Sequence, residues 1–233
     1  MQELTKLAPL FKTVTNLGQI PVIVALFILV FNLMPKPAAL YFWCSMAIVE
    51  YTSSQLKSLY AEDRPYWVTD EISAPYYKLD FGNPSGHMFF NVFFWSSIYL
   101  HAYHEVGVIQ PRMSVFCTAY IIKMAATCIG VTFLIFLGFS RVYLGANSYN
   151  QVTFGTTLGA VFALIGHYRI KPVFLALPEM LYTDQGGSKY RVTILSYLKT
   201  LTLGFILPMI LAGCVSLIHT ERAFYHSNQW NYR

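Results

Sequence analysis

Charge is what this sequence has least of. Only 12% of its 233 residues are Asp, Glu, Lys or Arg, about half of the roughly 25% usual in a soluble domain. With 55% hydrophobic residues and a mean hydropathy of +0.46, a soluble globular chain is excluded and an integral membrane protein is expected. Basic runs are missing too. The net charge of +5 is spread over the connections between apolar segments, so no nucleic-acid partner is expected. The four cysteines (Cys44, Cys117, Cys128 and Cys214) all lie inside apolar runs, without metal-ligand spacing, and read as small hydrophobes. No internal repeat, low-complexity tract or flexible linker divides the chain, and a single membrane domain over residues 1–233 is expected. A cleavable signal peptide is not evident, because the first apolar run leads into Pro35-Lys36-Pro37 and not into a small-residue cleavage site. The N-terminal stretch lacks the arginines of a mitochondrial presequence, so any organellar targeting would be internal.

What is there is a series of apolar segments long enough to cross a bilayer, which takes about 20 residues. They fall near 17–34, 38–57, 85–104, 113–139, 149–168 and 197–219, with Pro, Gly or charge in most of the gaps. The expected fold is all-α: a polytopic transmembrane bundle of about six spans. The connection 169–196 contains "VFLALPEMLY", expected to lie in the membrane interface as a short amphipathic helix. Six spans would put both ends, the 58–84 loop and the 140–148 turn on one face. Setting aside three site candidates, Lys and Arg are fewer on that face than on the other, which favours the non-cytosolic side for it.

Three stretches meet on that face: "KSLYAEDRP" with Lys57 and Arg64, "GNPSGH" with Ser85, Gly86 and His87, and "SRVYLGANSYNQ" with Arg141. Two arginines and a lysine at a membrane surface suit a multiply charged oxyanion, because Arg offers planar paired donors and Lys a compact charge. Pro84 suits a helix start, which would leave the amides of Ser85, Gly86 and His87 free to donate to an anion favoured by the helix dipole. His87 is placed to protonate a leaving-group oxygen.

Lys57 with Arg64-Pro65, then Pro84-Ser85-Gly86-His87, then Ser140-Arg141 resemble the three signatures of the type 2 phosphatidic acid phosphatase superfamily. That superfamily includes lipid phosphate phosphatases, glucose-6-phosphatase and vanadium haloperoxidases. The resemblance covers about residues 38–168, the phosphatase-like core, and leaves 169–233 as interfacial segment, last span and tail. It implies phosphate binding by Lys57, Arg64, Ser85, Gly86 and Arg141, with His87 as general acid. The third signature in that family carries a nucleophilic histidine and an orienting aspartate, and the matching positions here are Asn147 and Gln151. An amide nitrogen has a delocalised lone pair and cannot form the phosphoenzyme intermediate. Loss of a nucleophile costs covalent hydrolases on the order of 10⁶ in turnover.

The expectation is therefore a catalytically degraded member, acting as a structural or lipid-binding subunit of a larger membrane assembly, with the mitochondrial inner membrane as its compartment. The alternative is an active lipid-phosphate or sugar-phosphate phosphatase with an altered nucleophile. A phospholipid headgroup is the expected ligand of the cradle, with the acids Glu62, Asp63, Asp70 and Asp80 of the 58–84 loop as competing occupants. Other membrane subunits are the expected partners, docked by the aromatic tail "AFYHSNQWNYR". Glu50 and Lys123 lie at similar depth within spans and are candidates for a buried ion pair. His101, His104 and His167 gather near the opposite face and are expected to be interface histidines. They lack the pattern for haem, and no cofactor or metal is expected.

Overall fold

A computed structural model describes residues 7–69, 72, 78, 80–107 and 113–182. These residues form helices α1 (Ala8–Leu17), α2 (Ile20–Leu33), α3 (Lys36–Tyr60), α4 (Pro65–Val68), α5 (Gly86–Gly107), α6 (Met113–Tyr143), α7 (Tyr149–Ile165) and α8 (Lys171–Tyr182). No strand occurs among the described residues, and the fold is all-α. Five of the six expected segments are helical, while 197–219 and the tail lie outside the described residues. By length and composition alone, two helices can cross a membrane: Ile121–Tyr143 and Tyr149–Ala176. A third span results if Ala8–Leu17 and Ile20–Leu29, bent by 48° at their break, are counted as one. The count of six is thus not reached among the described residues.

Two elements differ from expectation. Residues 8–17, which precede the first expected span, form helix α1, with Pro9 in its first turn, and pack on α6. The helix begun at Tyr149 does not stop at Arg169. It runs through a π-helical turn (Gly166–Ile170) into α8. Pro172 has no N–H to give and would clash in a regular turn; the wider turn before it, with the Lys171 amide on Gly166 O, accommodates this without ending the helix. The segment "VFLALPEMLY" belongs to α8, which packs against α3.

Helix α5 is the centre, packed against α2, α3, α6 and α7. Its Phe89, Phe90, Phe93 and Phe94 join Phe27 of α2 and Phe42 of α3 in an aromatic core. The α5–α7 approach depends on two glycines. A Cβ at Gly155 would sit 2.5 Å from Ser85 O, and one at Gly159 would sit 2.7 Å from Phe89 O. Small residues four apart let two backbones meet where apolar burial supplies no drive between helices in lipid. Ile121, Ile122, Ile129 and Ile135 of α6 face outward, as a lipid-facing helix requires.

Near the far end of α5, His101 and His167 are buried, whereas His104 is exposed. His104 Nδ1 lies 2.6 Å from His167 Nε2, and Lys171 Nζ lies 2.6 Å from His101 Nδ1. No group of three or more His, Cys, Asp or Glu among the described residues is arranged to hold a metal. The Glu50–Lys123 pair does not form. Glu50 is exposed, and Lys123 turns to Tyr103, donating to its carbonyl at 3.4 Å with the ammonium 4.5 Å from the ring centroid. A cation near the membrane edge is stabilised as well by a carbonyl and a ring face as by a distant carboxylate.

The glycine packing makes a paired prediction. Gly159→Val should destabilise the protein by about 1–3 kcal/mol through overpacking. Gly130→Ala, where an added Cβ meets nothing within 4 Å, should be neutral or stabilising by up to about 1 kcal/mol. Thermal unfolding of the detergent-solubilised variants checks both. Equal stability of the two would contradict the close α5–α7 approach.

Candidate functional site

The site is built where helix ends converge. Lys57 lies in the last turn of α3. Ala61, with a left-handed φ of 45°, ends that helix and donates its amide to Lys57 O. The chain then turns so that Arg64 precedes α4 at its N-cap. The α6 helix ends on Gly145, whose φ of 65° is the left-handed conformation that glycine adopts freely. That turn brings the amides of Ala146 and Asn147 onto Arg141 O. Ser148 then starts α7 with a capping box. Its hydroxyl accepts from Gln151 N at 3.3 Å, and Gln151 Oε1 accepts from Ser148 N at 3.0 Å.

The geometry brings Lys57, Arg64, Ser85, Gly86, Arg141, Asn147 and Gln151 into one bonded neighbourhood. Arg64 is its hub, with a side chain only 3% exposed. Its Nε donates to Asp80 O at 2.7 Å, Nη1 to Ala146 O at 2.8 Å, and Nη2 to Asp80 Oδ1 at 2.8 Å and to Phe81 O at 3.3 Å. Lys57 Nζ takes the other Asp80 oxygen at 2.5 Å. Both salt bridges among the described residues therefore end on Asp80. Burial opposes charge on that carboxyl, but Lys57 and Arg64 outweigh it and hold its pKa down to about 2. Asp80 is ionised at any physiological pH.

Arg141 is buried and directs Nε and Nη2 at Asn147 Oδ1, at 3.4 and 3.3 Å. Ser85 Oγ donates to the same oxygen at 3.2 Å. Asn147 Nδ2 donates to Gly82 O at 2.9 Å and Gln151 Oε1 at 3.2 Å. Gln151 Nε2 continues the chain to Asp63 O at 2.9 Å and Glu62 Oε1 at 3.1 Å, and Glu62 Oε2 accepts from Asn83. Both ends of the Asn147 amide are thus satisfied.

Two expectations need correction. The Ser85 amide is not free for an anion, because it donates to Gln151 O at 3.0 Å and ties the start of α5 to α7. The acids of the 58–84 loop also divide unequally. Asp80 sits on the cradle cations, Glu62 braces Gln151, and Asp63 contributes a carbonyl; Asp70 and Glu71 lie outside the described residues.

His87 faces α1. Its Nε2 lies 3.0 Å from Thr15 O, and since a carbonyl only accepts, that nitrogen carries the proton. Thr15 Oγ1 also meets Ser140 Oγ at 2.7 Å, and Asn91 Nδ2 donates to Gly18 O at 2.7 Å. Helix α1 therefore closes over the histidine. Gly86 lies against the lysine: a Cβ there would come 3.1 Å from Lys57 Nζ.

Sequence reasoning missed Thr15, Gly82 and the Ala146 carbonyl, which act through backbone groups that leave no trace in side-chain pattern. It also missed the capping role of Gln151, although Ser148-x-x-Gln151 is the spacing of a capping box. The family model of the PAP2 superfamily matches residues 38–175, more than half of the chain, and the chain belongs to that superfamily. No curated protein and no solved structure matches the chain. Its apolar helices and its family make it a membrane protein.

The Asp80 contacts give a pH dependence. A depressed carboxylate pKa contributes stability above the unfolded value of 3.8, and this is lost as pH falls through the folded value of about 2. Wild type and Asp80→Asn should therefore differ in denaturant midpoint at pH 5–7 and converge below about pH 2. A difference that persists unchanged at the acid end would show that the pairs with Lys57 and Arg64 are not its source.

Proposed function

We propose that this chain is a PAP2-superfamily membrane protein that has lost the phosphotransfer step and is retained as a structural subunit of a larger membrane assembly. One observation carries this reading. The residue at the nucleophile position, Asn147, has an amide oxygen held by Ser85 and Arg141 and an amide nitrogen held by Gly82 O and Gln151. A nucleophile needs a lone pair pointing at phosphorus and a base or charge that activates it. Asn147 has neither. Gln151, at the position of the orienting aspartate, caps α7 and bonds Glu62. The pair that would run the chemistry is spent on holding the loop 58–84 to the start of α7.

With turnover gone, a reason to keep the fold remains, and docking supplies one. The outward isoleucines of α6 suit lipid or a neighbouring membrane helix, and the C-terminal sequence is rich in the Tyr, Trp, Phe and Arg common at interface anchors. Native purification with mass spectrometry tests the assembly, and deletion of 223–233 tests the docking. A chain that purifies alone, or a truncated chain that keeps its partners at normal yield, counts against it.

The catalytic half of the reading has its own measurement. Purified protein should turn over phosphatidic acid or a soluble phosphomonoester below about 0.1 s⁻¹, a low value on the usual scale. Faster turnover that Arg141→Ala abolishes would establish instead the active phosphatase with an altered nucleophile. Asn147→His should restore acid-labile phosphate labelling to a detectable level, since Lys57, Arg64, His87 and Arg141 are all present and Gly82 O can accept from an imidazole N–H as it does from the amide. A folded variant that neither labels nor hydrolyses would mean that more than the nucleophile has been lost.

A further inference from the structure

The cations of the cradle already hold an anion, and it comes from the chain itself. Asp80 Oδ1 lies 2.8 Å from Arg64 Nη2 and Oδ2 lies 2.5 Å from Lys57 Nζ. These are the donors that two oxygens of a tetrahedral oxyanion would use. The three groups are not equally fixed. The Arg64 side chain is 3% exposed and Lys57 16%, whereas Asp80 is 42% exposed. The cations belong to the interior and the carboxylate to the mouth.

Arg64 would stay in place without Asp80's carboxylate, because its other donors are held by the carbonyls of Asp80, Phe81 and Ala146. Beside Lys57 the wall is Gly86, at the N-terminus of the 22-residue α5, whose missing Cβ leaves space next to the ammonium. The dipole of that helix favours negative charge at this end. A phosphate monoester brings up to two charges and three terminal oxygens where Asp80 brings one charge and two.

We propose that Asp80 is a displaceable internal ligand of the cradle, a latch that a phosphate monoester group must expel before it engages Lys57 and Arg64. This goes beyond the non-catalytic reading and does not depend on it. The group is shared by a lipid headgroup of the phosphatidic acid type and by free phosphate. Either would exchange one anion for another, so Lys57 and the buried Arg64 never face each other uncompensated, which is the costly state. Expulsion of Asp80 would also loosen the adjoining contacts, among them the Gly82 amide on Glu62 O, so that ligand binding is reported to the 58–84 connection.

The test titrates detergent-solubilised full-length protein with inorganic phosphate and, in parallel, with short-chain phosphatidic acid, by ³¹P NMR. Asp80→Asn should bind at least about tenfold more tightly than wild type, equivalent to 1.4 kcal/mol. Asp63→Asn, which removes a neighbouring charge whose side chain makes none of these contacts, should stay near wild type. A folded Asp80→Asn that binds no more tightly than wild type, or an equal gain in Asp63→Asn, overturns the latch. Preference for phosphatidic acid would identify a headgroup as the occupant, and equal affinity would identify phosphate itself.

Should Asp80→Asn fail to fold, hydrogen exchange on wild type decides. Phosphate should speed exchange at the Gly82 amide, and unchanged exchange at the highest soluble phosphate concentration overturns the proposal. Phosphomonoester turnover by Asp80→Asn would overturn the non-catalytic reading and leave the latch standing. Unchanged binding without turnover would do the reverse.

Discussion

Arg64 carries a charge at a position almost closed to solvent, and the surroundings are arranged around satisfying it. A buried cation is tolerable only when its donors find acceptors and its charge finds a counter-charge. Arg64 obtains both from segments far apart in sequence: the Asp80 carboxylate and three carbonyls, one of them at Ala146 beyond α6. The guanidinium thereby pins the 58–84 connection to the α6–α7 turn. Asp80 in turn neutralises Lys57, so one carboxylate serves the end of α3 and the start of α4.

The rest of the site follows from that convergence. Gly155 and Gly159 let α5 and α7 approach closely enough for the Ser85 amide to reach Gln151 O. Gly145 turns the chain sharply after α6, which sets Asn147 against Arg141. Helix α1, outside the segment matched by the family, lays the Thr15 carbonyl on His87. Each helix end brings one group, and no single element contains the site.

Asn147 and Gln151 serve the fold through both ends of their side-chain amides. A histidine at 147 would have to leave a ring nitrogen unpaired toward phosphorus. An amide there can donate and accept at once, and Asn147 does both. Gln151 likewise closes a capping box of a kind worth about 0.5–2 kcal/mol and reaches Glu62. Together the two amides form a brace between the loop and α7.

The sequence by itself determined the class of protein. Scarce charge and long apolar segments require helices in a membrane, because hydrogen bonds along the backbone must be closed within each segment in lipid. The spacing of Lys57, Arg64, Ser85-Gly86-His87 and Arg141 was legible too, since cations and a helix start are written in residue type. Only the tertiary structure decided what those cations hold. Five acids lie between positions 62 and 80, charge alone does not choose among them, and the choice of Asp80 depends on where its connection comes to rest. The absent Glu50–Lys123 pair and the burial of His101 and His167 have the same origin. Matching depth along two helices says nothing of their rotation, and rotation is set by side-chain packing across the bundle. The cover that α1 places over His87 was equally invisible, because it is made by a backbone carbonyl, a group that every residue carries.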